Sequence, residues 1–406
     1  MEHAHTYRGV LAGSLDVSIS RKDFLKASLA CAACAFVTPT LAKSKGLFRG
    51  SSPSAGNLTK HKALNYTKLK GKMVHCDLCP RGCIVPDGGR GYCRVRENDG
   101  GDYYLVVYGR PCTAHVDPIE KKPFYHYLPG TSAFSLATAG CNMCCKFCQN
   151  WQISQPKPEE LESFALSPQE CVSSAKGAGC PTIALTYTEP IVYYEYTLDI
   201  AKASPAANIG TVMVSAGYIK TKPLEDLLGH LSAIKIDLKS FSDDYYRKVC
   251  DTTLAPVLDT LKTIKASGVW LEIVNLVLPT LNDSDSEHRQ MFEWVIKNLG
   301  DSVPVHLTRF HPMYQMRNLP PTPKSTLQRL HKLAKDVGLK FPYIGNVPGD
   351  PASNTYCPQC GKLLIRRRGF AIHNVGIVNS RCKFCGKPIP GKWSLKQAQQ
   401  EKVKVG

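Results

Sequence analysis

The chain has 406 residues, enough for one large domain with smaller satellites, and 43% of them are apolar, as in a globular protein with a sizeable core. The formal net charge is +18, but the basic residues are scattered and no recognition module accompanies them, so the composition does not favour a nucleic-acid-binding protein. The 18 cysteines are too clustered for a disulfide scaffold, and their C-x-x-C-like groups are typical of metal binding.

The N-terminal segment resembles a twin-arginine leader, the route that exports folded, cofactor-loaded proteins. Ser20–Lys26 carries Lys22 where the second arginine is expected, and an apolar run from Ala27 to Ala42 follows, which is short for a membrane span. A plain N-terminal extension is the alternative. Thiolate metal ligands need a reducing compartment. We therefore expect residues 1–72 to be leader and linker, catalysis in the cytoplasm with export possible, and no stable membrane span.

A cysteine-rich module is predicted for residues 73–132. Its four thiols, with two, three and nine residues between them, can surround a tetrahedral zinc or the corners of an iron–sulfur cluster. Glycines within 88–91 allow the turn that brings the last thiol back. The spacing leaves zinc and a cluster both open. The predicted metal ligands are Cys76, Cys79, Cys83 and Cys93.

The loop Cys141–Asn150 follows the apolar run 133–140 and has a C-x3-C-x2-C spacing. Three thiolates on one loop can hold three corners of a cubic iron–sulfur cluster, whereas a fully protein-bound cluster takes four. The fourth iron is then open to a ligand that is not protein. A zinc site is the alternative, but zinc sites usually pair two knuckles and no second one is near. The predicted ligands are Cys141, Cys145 and Cys148, with Cys144 as a bystander thiol.

This spacing, the preceding strand and the aromatic Phe147 before the last cysteine resemble the signature of the radical SAM superfamily. The resemblance implies a [4Fe–4S] cluster whose open iron binds S-adenosylmethionine (SAM). It implies reductive cleavage of SAM to a 5′-deoxyadenosyl radical, which abstracts hydrogen from a substrate that the sequence does not identify. A low-potential electron donor such as flavodoxin or ferredoxin is the expected partner.

Residues 133–345 alternate apolar β-branched runs with helical periods, which predicts βα units around a parallel sheet. Ser167-Pro168-Gln169-Glu170 is a capping box, and further helices begin near Pro256 and Pro323. The family resemblance implies an α/β fold, a partial (β/α)6 TIM-like barrel. The candidate strands are 133–139, 181–187, 210–215, 233–238, 269–277 and 303–309.

Function in parallel barrels sits at the carboxyl ends of the strands. The resemblance assigns Glu189 to the SAM amino group, although the family's usual two glycines are replaced by Tyr187 and Thr188. Asp237 and Lys239 share one strand face, so Lys239 can pair the SAM carboxylate while Asp237 orients it. The predicted SAM and substrate pocket comprises Phe147, Glu189, Gly217, Asp237, Lys239, Asn275 and His311.

Two C-x-x-C-G turns lie in the C-terminal segment, residues 346–406, with a basic tail after them. Such paired knuckles are typical of a zinc-ribbon or rubredoxin-like site. A metal bound there stabilises a segment that is too small to build its own core. Structural zinc is the first expectation, and a single redox iron is the alternative. The predicted ligands are Cys357, Cys360, Cys382 and Cys385.

The whole arrangement, from residue 73 to about 392, resembles the radical SAM component of the AmmeMemoRadiSam system. That branch implies Memo-type and AMMECR-type partner proteins. Two other functions stay open. One is an activase that installs a glycyl radical on a partner protein, and the other is a non-catalytic iron–sulfur and zinc electron carrier.

Overall fold

The computed structural model describes residues 54–56, 58–394 and 396. The chain divides into two compact units, Met1–Gly46 and Leu47–Gly406, and the described residues all lie in the second. The leader predicted at residues 20–42 therefore lies outside the described residues. Within those ranges, no helix is both long enough and apolar enough to cross a membrane.

An eight-stranded sheet forms the centre of the second unit. Its strands lie side by side in chain order, with β2 to β8 parallel and β1 antiparallel to β2 at one edge. The six predicted strands are confirmed as β2 to β7, and the α/β barrel is confirmed with them. The strands are β1 (Thr113–Pro118), β2 (Ser132–Ala137), β3 (Thr182–Leu185), β4 (Gly210–Ser215), β5 (Ala233–Asp237), β6 (Trp270–Val277), β7 (Val305–Arg309) and β8 (Pro342–Gly345).

The two edge strands, β1 and β8, are not among the predicted strands. β1 ends in Pro118 and β8 begins with Pro342. Proline cannot donate to a strand ladder, so a sequence pattern containing it argues against a central strand. At an edge that missing donor costs little, and both short segments add to the sheet.

Six helices follow the parallel strands as the βα pattern predicts. The capping box is confirmed: the Ser167 side chain accepts from the Glu170 amide at 3.3 Å, and the Glu170 carboxylate accepts from the Ser167 amide at 2.7 Å. Gly268 and Gly338 end their helices in the left-handed conformation. The helices are α1 (Pro168–Gly177), α2 (Tyr194–Ala203), α3 (Thr221–Leu228), α4 (Ala255–Ser267), α5 (Asp285–Leu299) and α6 (Lys324–Val337).

The two faces of the sheet bury different residues because side chains alternate along each strand. On β2, Phe134 and Leu136 pack with Cys171 and Val172 of α1. Ala133, directly before Phe134, packs on the other face against the segment between β1 and β2, including Phe124. That segment therefore fills the N-terminal mouth of the barrel and leaves the carboxyl ends of the strands for chemistry.

Smaller sheets lie before and after the barrel. The segment after it carries the terminal knuckles and adds a parallel bridge between Tyr127 and Lys392 at the filled mouth. The N-terminal strands are Ser54–Ala55 (paired with Glu162–Ser163), His61–Lys62, Tyr66–Lys68, Val74–Cys76, Ile84–Val85, Arg96–Asp99 and Asp102–Leu105. The C-terminal strands are Thr355–Tyr356, Leu363–Arg368, Ala371–Val375, Ile377–Val378 and Arg381–Cys382.

Candidate active site

The loop after β2 is held by hydrogen bonds to its own cysteines. The Cys148 amide donates to the Cys145 carbonyl at 3.0 Å, and the Met143 amide donates to the Cys141 Sγ at 3.4 Å. The Ser154 hydroxyl lies 3.4 Å from the Cys148 Sγ. Donors aimed at sulfur orient thiolates and favour their charged form.

The three loop cysteines lie near one another. Cys141 and Cys148 are both within electrostatic range of Cys145. Among the described residues, only the terminal knuckles bring three or more potential ligand atoms all within 4.8 Å of one another. At least one pair of loop sulfurs is therefore more than 4.8 Å apart, which is wider than the ligands of one tetrahedral ion.

Glu189 lies just after β3 and is 1% exposed. Its Oε1 accepts from the Ser215 hydroxyl at 2.7 Å, and its Oε2 accepts from the Ala216 amide at 2.8 Å. Burial raises the pKa of the Glu189 carboxyl, and the Ala216 amide opposes that shift. The carboxylate is thus fixed by the end of β4, within electrostatic range of Cys141 and Lys239.

The end of β5 carries three charged groups on one strand face, at every second residue. Lys239 Nζ donates to Asp237 Oδ2 at 2.7 Å, and Lys235 Nζ donates to Asp237 Oδ1. Burial raises the pKa of Asp237, but the two ammonium groups outweigh burial and hold it at about 2. Lys239 lies within electrostatic range of both Cys145 and Glu189.

Phe147 is buried beside the same charges, with its ring centroid 5.8 Å from Lys239 Nζ. The structure therefore groups this aromatic with the cysteines, Glu189, Asp237 and Lys239, as the sequence predicts.

Two of the other predicted pocket residues support these strand ends. The Gly217 amide donates at 2.9 Å to the Ser215 hydroxyl, which binds Glu189. A Cβ added to Gly217 would come within 3.3 Å of Ile236 and Thr260. Asn275 donates to the Leu238 carbonyl at 2.8 Å and holds the end of β5. His311 is exposed on the loop after β7.

Tyr187 shows how the turn after β3 forms without the family's glycines. Its φ is +66°, a conformation that favours glycine and costs about 1–3 kcal/mol for other residues. The Tyr187 hydroxyl donates to Asp117, whose Oδ2 also accepts from Lys122 at 2.5 Å. Burial lowers the pKa of Lys122 to about 8. These contacts hold the strained turn in place, and the residues are distant in sequence, so the sequence alone does not predict the network.

Cys250 is a second residue of this region that sequence reasoning missed. It ends the π-helix Tyr246–Cys250, and its carbonyl accepts from the Cys144 amide at 3.2 Å. A hydrogen bond with Cys250 lowers the pKa of Cys145. A single cysteine outside any spacing pattern carries no sequence signal of this placement.

The two other predicted metal sites are also assembled. In the terminal knuckles, the sulfurs of Cys357 and Cys385 lie 3.6 Å apart, and those of Cys360 and Cys382 lie 3.8 Å apart. These distances suit four ligands of one tetrahedral ion, and the site can bind a metal. The four N-terminal cysteines line a common cavity.

Comparison with known proteins places this geometry in a family. The family model described as "Radical SAM superfamily" matches residues 135–292. An uncharacterized protein of Methanocaldococcus jannaschii is 45% identical over 329 residues, 80% of this chain and 98% of that protein. The pyruvate formate-lyase-activating enzyme of Clostridium pasteurianum is 25% identical over 215 residues, 49% of this chain and 88% of that enzyme.

Among solved structures, a radical SAM methyltransferase from Sphaerobacter thermophilus matches with a TM-score of 0.45 and 14% identity, covering 76% of this chain and 81% of that one. The family match and the relatives agree with the cysteine loop and the strand order. The chain is therefore an enzyme of the radical SAM superfamily, related to the activating enzymes of glycyl-radical enzymes.

Proposed function

We propose that Cys141, Cys145 and Cys148 hold the [4Fe–4S] cluster of this superfamily and that the adjoining pocket binds SAM. When bound, this pair supplies the electron transfer and the 5′-deoxyadenosyl radical with which superfamily members abstract hydrogen. The observation that carries the proposal is that the three cysteines of one loop lie within electrostatic range of one another and of the buried charges of Glu189 and Lys239. Their spacing, wider than that of the ligands of a single ion, supports a cluster.

Opposite charges at two strand ends support recognition of an amino acid group. Glu189 is fixed by the end of β4, so its carboxylate can accept from the SAM ammonium without reorganising. Lys239 carries the opposite charge and suits the SAM carboxylate, with Asp237 as its positioning residue. The Phe147 ring lies beside the Lys239 ammonium. We keep Gly217, Asn275 and His311 as proposed supports of the pocket, not as contacts to the loop cysteines.

The opposite mouth of the barrel is closed by buried hydrogen bonds. Glu272 Oε2 accepts from His306 Nε2 at 2.8 Å, and Glu272 Oε1 accepts from the His126 amide at 2.8 Å. Burial raises the pKa of Glu272, but His306 outweighs burial and the net shift is downward. These buried residues keep water out of the N-terminal mouth of the barrel. Substrate is therefore proposed to enter at the carboxyl ends of the strands.

A protein substrate is the second candidate, because the relative from Clostridium pasteurianum is an activating enzyme. In that case the hydrogen comes from a glycine of a partner polypeptide. The discriminating measurement is EPR of the mixture: an activase leaves a stable glycyl radical on the partner, and an enzyme acting on a small substrate does not.

Further parts of the proposal rest on the sequence pattern. We propose that the chain belongs to the AmmeMemoRadiSam branch, with Memo-type and AMMECR-type partners, and that flavodoxin or ferredoxin supplies electrons. The terminal knuckles are proposed to hold zinc. The proposed division is 1–72, 73–132, 133–345 and 346–406.

Anaerobic incubation with SAM and dithionite tests the central proposal. The wild-type protein should release 5′-deoxyadenosine slowly, and the variant with Cys141, Cys145 and Cys148 all changed to Ala should release none. Cys144→Ala is the matched control on the same loop and should keep the activity. Release by the triple variant, or none by cluster-loaded wild type, contradicts the proposal.

A further inference from the structure

The four N-terminal cysteines surround a cavity that the cysteine loop of the active site also touches. The cavity is small, with about 10 Å³ of free volume, roughly the room of one water molecule. Apolar side chains such as Leu78, Ile191 and Val192 line it together with the thiols, and Asn142 of the active-site loop completes it. The cysteines in its wall are Cys76, Cys79, Cys83 and Cys93.

These sulfurs are spaced more widely than the ligands of a single ion. Four thiolates on one zinc, with bonds of about 2.3 Å, lie about 4 Å from one another. In the part of the chain that the structure describes, only the terminal knuckles reach such spacing, with all four sulfur atoms within 4.8 Å. No three of the N-terminal sulfurs lie that close together, and ligands that bind different irons of a cluster do not need to.

The loops that carry these sulfurs present donors to them. The backbone amides of Leu78, Arg81 and Val95 each donate to the cysteine two residues earlier in the chain. The buried Tyr103 hydroxyl also lines the cavity and is a hydrogen-bond donor toward the Cys76 sulfur.

A buried cation lies against the same wall. Arg96 is 1% exposed, lines the cavity and interacts electrostatically with Cys76 and Cys93. Its Nη2 donates to Glu195 Oε2 at 2.5 Å, which fixes the guanidinium in place and balances its charge. Within this pair, Arg96 is the member that interacts with the cysteines.

The cavity is adjacent to the active-site loop. Arg81, in the cavity wall, donates to the Asn142 carbonyl at 2.6 Å. Gly140, directly before Cys141, packs so closely that an added Cβ would lie 2.8 Å from the Cys93 carbonyl. The cysteine groups at the two sites are thus joined by direct contact.

We propose that Cys76, Cys79, Cys83 and Cys93 bind a second [4Fe–4S] cluster, fully ligated by protein, which exchanges single electrons with the cluster at the active site. In the forward step the second cluster is oxidised by one electron and the active-site cluster is reduced by one. A low-potential one-electron donor protein of the flavodoxin or ferredoxin class then restores the second cluster. The exchange rests on the proposed function, whereas the identity of the second cluster does not.

Acid-labile sulfide, iron and zinc counts on anaerobically purified protein test the cluster. We expect about eight sulfides per chain in the wild type and about four in the Cys141, Cys145 and Cys148 to Ala variant. The Cys76→Ser/Cys93→Ser variant should lose the other four, and Cys112→Ala, a half-buried thiol outside both sites, should lose none. If a variant fails to fold, the sulfide count of the wild type still distinguishes two clusters per chain, with about eight sulfides, from one cluster, with about four.

Four sulfides in the wild type, all lost in the active-site variant, together with about two zinc ions per chain, overturn the second cluster and leave the proposed function standing. The reverse result, four sulfides that survive in the active-site variant, overturns the proposed function and leaves the second cluster standing. Electron exchange is tested by EPR of the dithionite-reduced wild type. Spin–spin broadening relative to the summed spectra of the two variants supports it, and a simple sum overturns it.

Discussion

Single buried side chains fix the two ends of the barrel. At the carboxyl ends of the strands, Glu189 is held by a hydroxyl and an amide of β4. At the filled mouth, His126 Nδ1 donates to the Pro390 carbonyl at 2.7 Å, and its Nε2 accepts from the Tyr343 hydroxyl at 2.6 Å. The carbonyl can only accept, so Nδ1 carries a proton. Burial lowers the pKa of His126 to about 4, so the ring is neutral at pH 7 and Nε2 accepts. The family resemblance pointed to Glu189, but His126 has no such signal.

Changing Glu189→Gln tests its role at the pocket. The substitution keeps the size of the side chain but removes its charge, so binding of the SAM ammonium should weaken by about 10- to 100-fold, as for loss of a charged hydrogen bond. The iron and sulfide content should stay at the wild-type level. Equilibrium binding of SAM to the anaerobic protein measures the effect, with Glu120→Gln at the other mouth as the control. Unchanged SAM affinity would contradict the assigned role.

His126 predicts a loss of stability in mild acid. Burial lowers its pKa from 6.5 to about 4. Between pH 6.5 and pH 4 the His126 imidazole is protonated in the unfolded chain but not in the folded chain. The free energy of unfolding therefore falls by about 3 kcal/mol over this range. In urea denaturation at pH 7 and pH 4, His126→Gln should show a shallower pH dependence by about that amount. The exposed His373→Gln should match the wild type, and an equal slope for both variants would refute the prediction.

Elements with a local chemical signal were predictable, and elements defined by distant contacts were not. The capping box and the glycine after α4 mark their helices in a few consecutive residues. The six central strands show as apolar runs because both faces are buried. By contrast, the left-handed turn at Tyr187 depends on Asp117, 70 residues earlier. The π-helix Tyr246–Cys250, which brings Cys250 to the cysteine loop, has no periodic signature either.

The capping box gives a prediction for α1. Ser167→Ala removes the acceptor for the Glu170 amide and should lower the free energy of unfolding by about 1 kcal/mol. Ser173→Ala, on the exposed face of the same helix, should be neutral or slightly stabilising because alanine is the better helix former. Thermal or urea denaturation of both variants decides the matter, and equal effects would argue that the cap is not made.

At the scale of the whole molecule, three cysteine groups are arranged around one barrel. Spacing alone predicted the members of each group, since metal-binding loops are local. It did not predict that the N-terminal group touches the active-site loop through Asn142. Nor did it predict that Arg367 of the terminal segment donates to the Tyr125 carbonyl at 2.9 Å in the filled mouth. The branch resemblance adds expected partners, and no contact within this chain bears on them.

Removing the metal from the terminal knuckles should release that segment from the barrel. Structural zinc supplies about 10 kcal/mol or more of folding free energy to small segments. In a Cys357→Ser/Cys382→Ser variant, trypsin should cut rapidly at Arg366 to Arg368, while the barrel stays resistant. Cys180→Ser, a buried thiol in neither knuckle, is the control. Wild-type resistance of the variant would show that Arg367 and its neighbours hold the segment without metal.

If Cys141, Cys145 and Cys148 ligate three irons of the proposed cluster, its fourth iron is open for SAM. Electron–nuclear double resonance on the dithionite-reduced protein, mixed with SAM labelled with nitrogen-15 at the amino group, detects that contact. We expect a hyperfine coupling from the labelled nitrogen to the cluster spin, and its loss in the variant with Cys141, Cys145 and Cys148 changed to Ala. A cluster signal that does not change when SAM is added would show that SAM does not bind this iron.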